Sequence, residues 1–302
     1  MKIGFVGASG LMGHGMARNL LAKGHSLALT VNRQREAVQD LLGAGATLCD
    51  SHAELASRSE MVFICVTGSP QVEAVVTGPQ GLLAGATGAE PGQSLTLIDC
   101  STAEPDSTAK LRALCAERGI SYIDAPLSRT PIEAEAGRLN VMVGASASDF
   151  ERLRPVIACF AENIFHMGEP GAGHTMKLLN NFIAQAICTA TAEAFGVGQR
   201  AGIDLRKLVE LISMGPVNNG LFQMMAKTLD GDLGALKFEL DNARKDVRYY
   251  THMAENLGIP TVVGEAVHQS LSLASALGYG KKLVPSLVEA QERLSGARIV
   301  PR

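Results

Sequence analysis

The sequence predicts a doubly wound, mostly parallel α/β domain followed by an all-helical domain. In the first half, short apolar runs typical of strands alternate with helical patterns. A glycine-rich turn follows the first of these runs, and after about residue 170 the strand-like runs stop. A chain of 302 residues is long enough for two domains, which we place at 1–168 and 169–302.

The elements follow from the patterns in order. The strand-like runs of the first half are KIGFVG, LALTV, MVFICV, LTLIDC, ISYIDAP and NVMVG, with NIFHM as a further candidate. The helical patterns between them are HGMARNLLAKG, REAVQDLLGAG, QVEAVV and DSTAKLRALCAERG. In the second half, a single long helix is predicted over about residues 173–200, followed by shorter helices at LRKLVELIS, LFQMMAKTL, LDNARKDVRYYTHMAENLG and GEAVHQSLSLASALG. The long helix has few charges and must be covered by the second domain or by a second copy of the chain, so we expect a homodimer or homotetramer.

The composition excludes several classes of function. A net charge of −3 provides no broad basic surface, so nucleic acid is not an expected partner. The six cysteines form no CxxC pair and the seven histidines show no ligand spacing, which favours reduced thiols and no metal site. We find no secretory signal at the N-terminus and expect a cytoplasmic protein. Residues 182–198 are apolar but include Gln185 and Glu193, so they predict a buried helix and not a membrane span.

The turn after the first strand predicts a nucleotide site. Its glycines, Gly7, Gly10 and Gly13, have the spacing GxxGxxG, one residue longer than the usual dinucleotide fingerprint. Glycines let backbone N–H groups approach a pyrophosphate, which then faces the positive end of the following helix. We expect the cofactor to contact Gly7, Ser9, Gly10, Leu11 and Met12. The alternative is a tight turn that binds nothing.

The end of the second strand predicts the choice of cofactor. An acidic residue there would bind the ribose hydroxyl of NAD, but the sequence has Asn32, Arg33 and Arg35. Arg33 is able to pair with a 2′-phosphate in a forked geometry, so NADP(H) is expected to be preferred over NAD(H). Alternatively, Arg33 and Arg35 are solvated charges at a helix start.

Several segments together resemble one family. They are VGASGLMGHGMARNLLAKGH, DCSTAEP at 99–105, DAPLSRTPIEAEAGRLNVMVGA at 124–145, GAGHTMKLLNN at 171–181 and RKDV at 244–247. In order and spacing, over nearly the whole chain, they are similar to the β-hydroxyacid dehydrogenases, the family of 3-hydroxyisobutyrate dehydrogenase, tartronate semialdehyde reductase and sulfolactaldehyde reductase. The resemblance implies a Rossmann domain and a helical domain that is 6-phosphogluconate-dehydrogenase-like, with the active site in the cleft between them.

The resemblance also implies the catalytic pair Lys177 and Asn181. Positions four apart share a helix face, so the ammonium and the carboxamide are expected to point the same way. A lysine there would polarise a substrate carbonyl for hydride attack and donate a proton to the developing alkoxide.

Further residues are implied by similarity. Thr67, Thr102 and Lys245 match positions that touch the cofactor, and Ser128, Phe238 and Asp246 match positions that line the substrate site. Asp246 is a candidate to hold Lys177 or the nicotinamide ribose, or else only an ion-pair partner on its helix.

Arg129 departs from the family pattern. Most members carry Ser-Gly-Gly where this chain has Ser128, Arg129 and Thr130, and the SRT segment resembles the GRT of sulfolactaldehyde reductase. A guanidinium pairs well with an anionic head group, and Thr130 could supply a hydroxyl to the same oxygens. Alternatively, Arg129 points to solvent or pairs with Glu133 or Glu135.

The expected function is interconversion of a small anionic semialdehyde and the corresponding 3-hydroxy acid. Candidate substrates are sulfolactaldehyde, succinic semialdehyde, tartronate semialdehyde (2-hydroxy-3-oxopropionate) and methylmalonate semialdehyde. No metal is expected to be needed, because the lysine polarises the carbonyl. Two alternatives are an imine reductase and a non-catalytic NADP-binding sensor.

Overall fold

The chain forms two compact units. A computed structural model describes residues 1–32, 35–86 and 95–301, and it divides into Met1–Lys177 and Leu178–Arg302. The first unit is an α/β domain and the second is helical, so the predicted fold class is confirmed.

The first unit is built on a nine-stranded sheet with the order β3-β2-β1-β4-β5-β6-β8-β7, in which β9 also pairs with β8. The pairs from β3 through to β6 are parallel, β8 is antiparallel to β6 and β7, and β9 is parallel to β8. The order reverses at β1, between β2 and β4, and ligands of such sheets bind beyond the carboxyl ends of the strands at this point. The strands are β1 Lys2–Val6, β2 Ser26–Thr30, β3 Thr47–Leu48, β4 Met61–Ile64, β5 Thr96–Asp99, β6 Ser121–Asp124, β7 Leu127–Ser128, β8 Leu139–Gly144 and β9 Ala161–Gly168.

Helices cover both faces of the sheet because the central strands are apolar on both sides. In β4, Met61 and Phe63 belong to one buried apolar cluster and Val62 and Ile64 to another. The helices of this unit are α1 Gly13–Ala22, α2 Gln39–Gly43, α3 His52–Ser57, α4 Ser69–Thr77, α5 Leu82–Gly85, α6 Pro105–Ala116, α7 Pro131–Glu135 and α8 Ala147–Ile157.

The second unit packs around its own apolar core. Phe195 and Phe222 meet edge to face there at 6.3 Å, and Val247 and Leu271 are fully buried in the same cluster. Its helices are the long α9 Ala172–Arg200, which begins in the first unit, then α10 Leu205–Ser213, α11 Gly220–Ala226, α12 Leu240–Asn256, α13 Val262–Ala274 and α14 Leu287–Ser295. Within the described residues, no helix combines the length and the apolar character that crossing a bilayer requires.

Candidate active site

The glycine turn after β1 depends on the absence of side chains. Gly7 has φ +95°, and a β-carbon there would lie 2.0 Å from the carbonyl oxygen of Cys65. A β-carbon at Gly13 would lie 2.2 Å from the carbonyl oxygen of Gly7, and the Gly10 N–H donates to that same oxygen at 3.0 Å. Only glycine at the first and last positions lets the chain enter α1 so closely after the strand.

The turn fits a dinucleotide pyrophosphate. No side chain caps the N-terminus of helix α1, where Met12 is the cap residue. The positive end of the helix dipole is therefore open to an anion. Leu11 is 78% exposed and Ser9 half-buried beside it. The structure therefore brings the five predicted residues of this segment together in one turn.

A cavity of about 280 Å³ lies beyond the ends of β2 and β3. It is lined by Val31, Asn32, Arg35, Leu48, Cys49 and Asp50. Asn32, a predicted cofactor residue, therefore lines this cavity, whereas Arg33 lies outside the described residues. Sequence reasoning treated Arg35 only as a possible helix-start charge and missed Asp50, because the two-residue strand β3 gives no periodic signal.

The two predicted threonines follow neighbouring strands. Thr67 comes three residues after β4 and is exposed, and Thr102 comes three residues after β5 and is half-buried. Their loops are tied together, because the Val66 N–H donates to Ser101 Oγ at 3.0 Å. Both threonines thus stand at the carboxyl edge of the sheet, where the topology places a ligand.

Lys177 lies on α9 close to the same edge. It is half-buried, and its charge acts on the thiol of Cys65, the first residue after β4. Burial, followed by the charge of Asp99, raises the pKa of Cys65 to about 12, even though the Lys177 ammonium acts to lower it. The ammonium is therefore within electrostatic reach of the ends of β4 and β5.

Asp124 fixes the start of α9. It is the last residue of β6 and fully buried, and its carboxylate accepts the N–H groups of Gly171 at 2.7 Å and of His174 at 2.9 Å. A β-carbon at Gly144 or Gly173 would lie within 2.8 Å of this carboxylate, so both positions require glycine. A carboxylate capping a helix N-terminus is stabilised by the helix dipole.

Three predicted residues of the second unit form one network. The Asn181 amide donates to the buried carboxylate of Asp246 at 2.6 Å, and Lys245 donates to the other oxygen of that carboxylate at 2.6 Å. The Lys245 ammonium also lies 4.7 Å from the centre of the Tyr249 ring. Phe238 packs against the apolar core of this unit. Asp246 therefore orients the amide of Asn181.

The segment after β6 is shaped by an arginine in a left-handed conformation. Arg129 has φ +81°, a region that favours glycine, and its guanidinium pairs with Glu162 and donates to the Arg138 carbonyl at 2.6 Å. The partner is thus neither Glu133 nor Glu135. Ser128 is half-buried at the end of β7.

Thr130 caps helix α7. Its hydroxyl accepts from the Ile132 N–H at 3.3 Å and donates to Glu133, while the Thr130 N–H donates back to Glu133 at 3.1 Å. This reciprocal capping box uses the hydroxyl that sequence reasoning assigned to substrate.

His14, at the start of α1, joins three helices. Its ring lies 2.7 Å from the Glu135 carboxylate and 3.1 Å from that of Asp40. Burial is the largest single influence and lowers the pKa of His14, but the hydrogen bonds and charges of the two carboxylates together outweigh it, and the pKa is raised above its usual value. Helix α1 is thereby tied to α2 and α7.

Comparison with known proteins identifies the family. Residues 2–168 match the NAD binding domain of 6-phosphogluconate dehydrogenase, and residues 171–290 match the NAD-binding domain of NADP-dependent 3-hydroxyisobutyrate dehydrogenase. The chain belongs to the β-hydroxyacid dehydrogenase family. It is an NAD(P)-dependent oxidoreductase of the 3-hydroxyisobutyrate dehydrogenase type, as the resemblance predicted.

The similar proteins in this family act on different substrates. A 2-(hydroxymethyl)glutarate dehydrogenase of Eubacterium barkeri is 30% identical over 99% of this chain and 97% of its own. A 3-sulfolactaldehyde reductase of Escherichia coli is 31% identical over 97% of this chain and 96% of its own. The crystal structure of a 3-hydroxyisobutyrate dehydrogenase from Salmonella typhimurium, 28% identical, superposes with a TM-score of 0.80 over 96% of this chain and 99% of that one.

Proposed function

We propose that this β-hydroxyacid dehydrogenase is an NADP(H)-dependent reductase of small anionic semialdehydes, which it interconverts with 3-hydroxy acids. The observation that carries the proposal is the placement of Lys177. Its ammonium stands within electrostatic reach of Cys65, at the carboxyl edge where the sheet changes direction, on a helix whose start is fixed by Asp124.

The chain's own residues supply the acid chemistry. NADPH, when bound, supplies the hydride. Lys177 donates a hydrogen bond to the aldehyde oxygen, stabilises the negative charge that develops there, and then gives up its proton. Asn181 follows one turn later on α9, and with one amide hydrogen held by Asp246 it keeps the other for the substrate.

The preference for NADP(H) is proposed from the cavity beyond β2. Arg35 lines this cavity, and Arg33 precedes Arg35 by two residues in the sequence. Both side chains are cations suited to a 2′-phosphate. The carboxylate of Asp50 in the same wall acts against this preference. Arg33→Asp and Arg35→Asp are each expected to lower the ratio of kcat/KM with NADPH to that with NADH. An unchanged ratio for one variant would remove that arginine from the phosphate site.

The substrate class is proposed from the relatives and from Arg129. Two similar proteins are named for 2-(hydroxymethyl)glutarate and for 3-sulfolactaldehyde, both of which carry acidic groups. Arg129 forms an ion pair with Glu162, whose side chain is 50% exposed. Exposed pairs contribute only about 0–1 kcal/mol, so a substrate anion is able to take the place of Glu162 at little cost.

The test is a substrate screen with NADPH and NADH. Sulfolactaldehyde and the succinic, tartronate and methylmalonate semialdehydes are the candidates, with a cyclic imine as the competing substrate. Turnover of the imine alone would indicate an imine reductase, and NADPH binding without turnover of any compound would indicate a sensor.

A variant locates the chemistry. Lys177→Ala is expected to abolish turnover while the Kd for NADPH stays within about twofold, because the ammonium acts on the aldehyde oxygen and not on the cofactor. Lys23→Ala, at an exposed lysine after α1, is the matched control and should keep full activity. Loss of NADPH binding in the Lys177 variant would mean that its role has been misassigned.

A further inference from the structure

One buried histidine is not used by the proposed chemistry. His174 is completely inaccessible to solvent and lies on α9 three residues before Lys177. Its Nδ1 is 2.6 Å from the hydroxyl of Thr108 on α6, and its Nε2 is 3.8 Å from a carboxylate oxygen of Asp99 at the end of β5. Nε2 has no hydrogen-bond partner. A buried polar atom in this state costs free energy unless a charge nearby compensates for it.

Asp99 provides that charge. It is fully buried, and it accepts the Ser101 N–H at 2.9 Å and the Tyr122 hydroxyl at 2.8 Å. Burial, followed by the charge of Asp99, raises the pKa of Tyr122 far above its usual value, so Tyr122 stays protonated and continues to donate. The carboxylate oxygen that accepts the Tyr122 hydroxyl is also the oxygen that lies 3.8 Å from His174 Nε2.

The contacts of His174 differ from the cap made by Asp124. Asp124 holds backbone N–H groups at the first turn of α9, which fixes where the helix begins. The His174 ring reaches the Thr108 hydroxyl on α6 and approaches Asp99 at the end of β5, so its contacts lie to the side of the helix and not at its end. His174 and Lys177 are three residues apart, which places them about 4.5 Å apart along the axis and on nearly the same face of α9. A rotation of the helix that moves His174 therefore moves Lys177 as well.

We infer that His174, held between Thr108 and Asp99, is a positioning residue that sets the reach of the Lys177 ammonium. This inference rests on the proposed function, in which Lys177 is the proton donor. A displacement of about 1 Å at a catalytic group is enough to lower the rate about 100-fold.

Two substitutions distinguish the contributions of the two ring nitrogens of His174. His174→Gln places an amide near the position of Nε2 and keeps a donor toward Asp99, whereas His174→Asn keeps a polar group near Thr108 and loses the contact with Asp99. We expect kcat per NADPH-binding site to fall about 10- to 100-fold in the asparagine variant and to stay within about threefold in the glutamine variant. The Kd for NADPH should change less than about twofold in both, since neither contact belongs to the nucleotide turn.

A merely structural role gives a different result. The control His268→Asn removes another buried histidine, on α13, and should lower Tm without changing kcat per site. If His174→Asn behaves like this control, or if the glutamine and asparagine variants lose activity equally, the inference is wrong. If His174→Asn does not fold, Thr108→Val is measured instead, because it removes only the hydroxyl that meets Nδ1. A wild-type kcat per site in Thr108→Val would overturn the inference. Turnover that survives in Lys177→Ala would instead refute the proposed function.

Discussion

Replacing Arg129 by glycine separates a substrate contact from backbone strain. The residue has φ +81°, and relief of this left-handed conformation favours the variant by about 1–2 kcal/mol. Two effects destabilise the variant. It loses the ion pair with the half-exposed Glu162, about 0–1 kcal/mol, and glycine has greater freedom in the unfolded chain, about 0.5–1 kcal/mol. These contributions nearly cancel, so we expect Tm to change by only a few degrees.

The kinetic effect is expected to be larger and selective. A hydrogen bond from a guanidinium to an anionic head group contributes about 1.5–3 kcal/mol, which corresponds to a rise in KM of about 10- to 150-fold for sulfonated or dicarboxylate aldehydes. A short monocarboxylate semialdehyde should be little affected. Steady-state kinetics of NADPH oxidation with both substrates measures the difference.

Glu162→Gln is the matched control for this prediction. It removes the competing carboxylate and leaves Arg129 in place, so KM for the doubly anionic substrate should fall. Equal changes in KM for both substrate types in Arg129→Gly, with no effect of Glu162→Gln, would show that the guanidinium serves only the loop.

Three further predictions concern the cofactor turn, the second unit and pH. Gly7→Ala should weaken NADPH binding, measured by fluorescence titration, because its β-carbon would meet a carbonyl oxygen at 2.0 Å; Gly24→Ala, where φ is +85° but the space is open, should lower Tm and leave the Kd unchanged. Asp246→Asn should lower kcat by releasing the amide of Asn181, and unaltered kinetics would remove this carboxylate from the site. The pKa of His14 is raised in the folded chain. Its contribution to the free energy of unfolding is therefore complete at pH values below the unfolded pKa of about 6.5, and it is lost as the pH rises through the folded pKa. The Tm penalty of His14→Gln should therefore be larger at pH 6 than at pH 9, and a penalty independent of pH would contradict this.

The sheet could be predicted from the sequence because its longer strands are apolar runs of at least four residues with helical patterns between them. Strands β3 and β7 have two residues each and leave no periodic signal, and the helices α3, α5, α8 and α14 were also missed. The glycine turn was visible because its conformation excludes other residues.

The contacts between distant residues could not be predicted. Asp124 and His174 are 50 residues apart, and Asn181 and Asp246 are 65 apart, so nothing local reveals that they meet. The resemblance drew attention to Asp246 but not to the partners it holds. Arg35 and Asp50 join one cavity wall only through the register of β2 and β3.

The position of Asp124 has a consequence for protein engineering. One carboxylate at the end of β6 secures the helix that bears Lys177, and the chain then continues directly into residues 125–130. Because the anchor precedes this hexapeptide, we expect Lys177 to keep its place when residues 128–130 are exchanged for those of a homologue, while Ala125 and Leu127, which are buried in the core, are kept. If the proposed function holds, the residues that select the substrate and the residue that donates the proton are then free to vary independently.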